Sequence, residues 1–168
     1  MSIFKVSEKI DKTTNIVANI TAVLSLILVF LIVYDAFNRY LFSEGSITVQ
    51  ELEWHIFDVI ILLSLSYTFL QNGHVKVDII YHNLNEKYKN YIDVIAYLFF
   101  VIPFSILVIC ASIDFVILSY EQNETSPNPA GLELRFLIKS VIILGFSFVI
   151  MQVISEILKK IQRIKMKD

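Results

Sequence analysis

Four predominantly apolar runs, each close to twenty residues long, leave this chain few ways to fold: Ile16–Tyr34, Trp54–Leu70, Val94–Ile113 and Phe136–Leu158. At about 1.5 Å of rise per residue, a helix of that length crosses the roughly 30 Å hydrocarbon core of a bilayer. A transmembrane barrel would instead alternate apolar and polar residues in segments of about ten. With 56% hydrophobic and 18% charged residues and a mean hydropathy of +0.67, the chain is too apolar for a soluble domain of 168 residues. The reading is an all-α integral membrane protein: one membrane domain of four transmembrane helices, preceded by a short interfacial amphipathic helix.

The spans are expected at about residues 16–37, 52–71, 91–120 and 136–158, with the interfacial helix at about 2–14 and a basic tail at 159–168. In the first arm Ile3, Val6 and Ile10 recur at helical spacing with Lys5, Lys9 and Lys12 between them, the pattern of a helix lying in the headgroup region. The run that follows is too long for a signal-peptide core and lacks a small-residue cleavage site, so it reads as a retained span. Pro103 is expected to kink the third span. Cys110, the lone cysteine, reads as a small buried hydrophobe.

Orientation follows from the distribution of Lys and Arg, which stay preferentially on the cytoplasmic side of short connections. The N-terminal arm carries three, the connector after the second span three (Lys76, Lys87, Lys89) and the tail five, whereas the other two connections hold only Arg39, Arg135 and nearby Lys139. Both termini are therefore expected in the cytoplasm. The acids Glu44, Glu51, Glu53, Glu121, Glu124 and Glu133 then face the periplasm.

Polar groups in or beside the spans are the candidates for function. On a helix Glu51, His55 and Asp58 share one stripe. An ionised carboxylate is costly in hydrocarbon, so Asp58 is expected to face a protein neighbour, a cation or a water-filled cavity. Arg39 is a candidate partner for that stripe, and Lys139, a turn beyond Arg135, for Asp114. Of the three histidines only His55 lies within a span, which argues against a pair of axial haem ligands. No Gly-rich phosphate loop, Ser/His/Asp arrangement or cysteine cluster is present. An enzyme, a cofactor and a nucleic-acid partner are accordingly not expected. Two readings remain open: an accessory subunit whose polar residues hold a partner, and a self-contained small homo-oligomeric transporter or channel using Asp58 or Asp114.

FNRYLF at 37–42, ELEWHIFDVIILLSLSYTF from Glu51, GHVKVDIIY at 73–81 and SPNPAGLELRFLIKS at 126–140 together resemble the small four-helix membrane subunit, the Q subunit, of tripartite ATP-independent periplasmic (TRAP) transporters. The likeness covers nearly the whole chain. Arg39 matches that family's arginine after the first span, and Glu51 or Glu53 its acid heading the second. Gly73, His74, Lys76 and Asp78 match its inner connector turn, and Pro127, Gly131, Leu132, Arg135 and Lys139 its later loop and helix start. Glu133 and Ile143 stand where relatives carry proline. The resemblance implies an accessory partner of a large membrane subunit that imports an organic acid on a sodium gradient by an elevator-type motion. It further implies a periplasmic binding protein that delivers the solute. The small subunit would brace the fixed scaffold in the inner membrane, amid phospholipid, and bind no solute itself.

Overall fold

The computed structural model describes residues 2–71, 73 and 84–165. Helix α1 spans Ser2–Phe37 and runs on through a π-helical turn at Asn38–Phe42; α2 spans Ile47–Leu70. Helix α3 spans Glu86–Ala96, a second π-helical turn covers Tyr97–Val101, and the path continues as α4, Ile102–Glu121. Helix α5 spans Arg135–Lys165. All four paths are long and apolar enough to cross a membrane. They alternate in direction, so one end of the bundle carries the connections at 43–46 and 122–134 and the other carries the chain termini.

Several helix boundaries have a local cause. The Ser46 hydroxyl caps α2 by accepting a hydrogen bond from Val49 N at 3.4 Å, and Asn85 caps α3 by accepting from Glu86 N at 3.0 Å. Ser43 closes the first path in the left-handed region at φ 57°. The expected kink at Pro103 takes the form of the π-helical turn before it. Proline has no N–H to offer the carbonyl four residues back, and the ladder shifts so that Ile102 N bonds to Tyr97 O.

Helix α5 is central and packs against α1, α2, α3 and α4; α1 also lies along α2. Close contact is made by small residues, as expected where lipid removes the apolar driving force between helices. Ser105, Ser112 and Ser119, seven residues apart, are buried along one face of α4. At Gly145 an added Cβ would sit 2.7 Å from the Leu62 carbonyl oxygen, so α5 and α2 cross there only because the side chain is missing. Tyr97, Val149 and Val153 form the buried apolar cluster, toward the termini end.

Three expectations change. The N-terminal arm is no separate interfacial helix: it is continuous with the first span as 36 residues, about 54 Å of helix. Ser7, Asp11 and Thr14 turn onto α5, while Lys5, Lys9 and Lys12 stay exposed on the other side of the helix. The stretch from 159 is likewise helical to Lys165, and Lys159 and Lys160 point inward to acids. Cys110 is exposed on the outer side of α4, one turn before Asp114.

Candidate functional site

Glu51 is the hub of the loop end. It stands in the first turns of α2, and the loop from Glu121 to Arg135 folds over it. Its Oε1 accepts from the Ser126 hydroxyl and, at 3.0 Å, from Asn128 Nδ2, while its Oε2 accepts from Leu132 N at 2.7 Å. The Arg135 guanidinium lies 3.9 Å away. The loop closes on itself as Ser126 N bonds to Leu132 O at 3.1 Å and Asn128 N to the Ser126 hydroxyl at 3.1 Å. Thr48 of α2 adds a hydrogen bond to the Ala130 carbonyl. Gly131 is required by this closeness, since a Cβ there would lie 2.3 Å from Ser126 and 2.8 Å from the Glu51 carboxylate. Ala130 at φ 61° and Leu134 at φ 60° hold left-handed conformations that side chains disfavour, and the contacts to Glu51 offset that cost.

The basic residues here pair differently from expectation. Lys139 bonds to Glu124, not Asp114, and sits 3.9 Å over the Phe115 ring. The cause is the loop path: Arg135 N bonds to Glu124 O at 3.2 Å, which brings that acid back over the first turn of α5. The hydrogen bond from Lys139 holds the Glu124 carboxyl below its ordinary range. Arg39 pairs with Asp35 one turn back on its own helix rather than with the stripe on α2. An i, i+4 partner needs no tertiary geometry to be met. Glu53 faces α1 within electrostatic reach of Asp35 and Arg39, so the two acids of the ELE motif divide their tasks: Glu51 holds the loop and Glu53 faces the first span.

His55 and Asp58 line a cavity of about 610 Å³ below Glu51, with Arg135 and Lys139 on its other wall. Asp58 is exposed to this cavity and Asp114 is exposed on α4. Neither has an ion-pair or hydrogen-bond partner among the described residues. Gly73 follows the α2 end, its N–H bonded to Thr68 O at 3.0 Å. The rest of the connector turn, with His74, Lys76 and Asp78, lies outside the described residues.

A second polar cluster, at the termini end, escaped the reading of the sequence. Lys159 bonds Asp11 at 2.9 Å and also Glu156. Gln152, fully buried, accepts from the Thr14 hydroxyl at 2.7 Å and donates to Asp11 at 3.0 Å and Glu156 at 3.2 Å. Ser155 donates to Asp11 at 3.0 Å. Beside it, Lys160 of α5 and Asp93 of α3 form a buried ion pair at 2.7 Å. A signal was available: Gln152, Ser155, Glu156 and Lys159 stand at steps of three, one and three on one face of α5.

In both clusters a carboxylate or amide of one helix is met by polar groups of another helix or of the 122–134 loop. No group of three side chains able to hold a metal ion converges among the described residues. A family model described as tripartite ATP-independent periplasmic transporters, DctQ component, matches residues 28–163. That stretch takes in α2 to the greater part of α5 and leaves out Asp11 and Thr14. No curated protein matches the chain.

Proposed function

The chain belongs to the DctQ component family of tripartite ATP-independent periplasmic transporters, and from that premise we propose that it is the accessory subunit bracing the fixed scaffold of a large membrane subunit. In this reading the assembled transporter imports an organic acid on a sodium gradient, with a periplasmic binding protein delivering the solute. The chain sits in the inner membrane with both termini in the cytoplasm, so the Glu51 loop faces the periplasm and the Lys159–Lys160 cluster the cytoplasm. The distribution of Lys and Arg supports that orientation. An elevator needs one part to slide and another to stay, and helices added to the fixed part enlarge its anchorage in lipid without loading the moving part.

The observation that carries the reading is Asp114. It lies about 200° around α4 from Ser112, whose face is buried against the bundle, so its carboxylate points outward. Leu107 and Leu118, 64% and 53% exposed, flank it on that outer stripe. A carboxylate on a lipid-facing apolar stripe is costly, by roughly 2.5–3.5 kcal/mol on insertion scales, and a basic or hydrogen-bonding group from a partner removes that cost. Asp114→Leu is therefore expected to reduce recovery of the large subunit with an affinity-tagged chain by at least about tenfold, by leaving the partner's polar group unpaired. The substitution leaves the helix content of the isolated chain unchanged. Undiminished co-purification would remove this face from the interface.

A further inference from the structure

The cavity below Glu51 does not end at its polar rim. It shares Asp58, Ile138 and Lys139 with a second hollow of about 390 Å³, walled by Leu62, Phe115 and Ile142. A third, of about 460 Å³ and almost wholly apolar, shares no lining residue with the second but lies one turn further along α2 and α5, between Leu65, Phe104, Phe146 and Val149. On α5 the floor of this series is Lys139, Ile142, Phe146 and Val149, at steps of three, four and three, hence one straight stripe. The walls are α2 and α4. At the far end the furrow is closed, because Phe69 of α2 meets Tyr97 edge-on at 5.8 Å and Tyr97 packs with Val149.

Length and closure identify the occupant. From Lys139 to Val149 the stripe rises about 15 Å, half the roughly 30 Å hydrocarbon core. A partner helix that crosses the bilayer would need a groove open at both ends. A furrow polar at its mouth, apolar below and shut near mid-membrane fits one acyl chain of one leaflet. The mouth carries both signs of charge. Lys139 and Arg135 present cations, Asp58 a carboxylate with no partner among the described residues, and Glu51 and Glu124 lie close by. A purely anionic headgroup would meet those acids, whereas a headgroup with a phosphate and a primary ammonium finds a counter-charge for each.

We propose that this furrow is a binding site for a single aminophospholipid, its phosphate against Lys139 and Arg135, its ammonium at Asp58 and one acyl chain along Ile142, Phe146 and Val149. Assignment to the periplasmic leaflet rests on the orientation proposed above; binding itself does not, and neither depends on docking to a large subunit.

The test is native mass spectrometry of the full-length chain, released from a mild detergent with equal amounts of phosphatidylethanolamine and phosphatidylglycerol of matched acyl chains. One phosphatidylethanolamine should be retained, with about a fivefold preference, the equivalent of roughly 1 kcal/mol for one ionic contact at a membrane surface. Asp58→Asn should bring the two lipids to near parity. Ile142→Trp, which fills the second hollow, should reduce retention of both. Circular dichroism reports whether that variant folds, and Asp58→Asn, at an exposed position, carries the test if it does not. Equal retention of the two lipids by the wild-type chain would overturn the proposal, as would an unchanged preference in Asp58→Asn. Labelling of the large subunit rather than lipid by a photo-crosslinker at position 142 in the assembled transporter would assign the furrow to a protein partner instead.

Discussion

Lys160→Met is expected to destabilise the isolated chain by about 3 kcal/mol, because it removes the ammonium from a buried ion pair with Asp93, 5% exposed. The pair joins α3 to α5 at the foot of the third path, where Lys160 also lies 5.9 Å over the Tyr97 ring. Loss of the cation therefore loosens the contact that closes this end of the bundle. The double replacement Lys160→Met with Asp93→Leu removes both charges together and is expected to recover part of that loss, since a buried ion pair exchanged for apolar side chains is often neutral or better. Unfolding followed in detergent by circular dichroism across the double-mutant cycle gives the coupling directly. Equal stability of Lys160→Met and the wild-type chain would show that the pair is not buried as described.

Glu51→Ala should release the loop at 122–134 while leaving the four helices in place. Three donors, the Ser126 hydroxyl, Asn128 Nδ2 and Leu132 N, lose their common acceptor at once, and the left-handed residues Ala130 and Leu134 lose what holds them. Hydrogen exchange at the Leu132 amide should accelerate by about a hundredfold, as a protected amide becomes one that opens locally. Glu53→Gln, at the neighbouring acid, should leave that amide unchanged. If the two variants behaved alike, the division of roles between the two acids would be wrong.

How much of this was legible in the sequence depends on the range of the interaction. The four helices follow from apolar run length alone, and Pro103 marked its irregular turn because a missing N–H acts locally. Partners across the chain were not legible. The Lys5, Lys9 and Lys12 pattern reads as an interfacial helix until Asp11 is seen to meet Lys159, 148 residues away. Lys139 faced a choice between Asp114 and Glu124 that only the backbone path of the loop decides. Glu51 was recognisable as an important acid from its place at the head of α2. Its task, accepting from a loop some 80 residues later, is written in the conformations of residues 126–134 and not in any spacing. The stripe of Glu51, His55 and Asp58 lies on one helix face as expected, yet its members act separately: Glu51 serves the chain's own loop and Asp58 opens to the furrow.

The account's central claim, that these helices serve another polypeptide, is tested most directly by solute flux into sealed vesicles. Three preparations are compared under a sodium gradient with the binding protein present: this chain alone, the large subunit alone, and both together. Uptake should require the large subunit, be greatest when both are present, and stay at the level of empty vesicles with this chain alone. Flux carried by this chain unaided would contradict the claim.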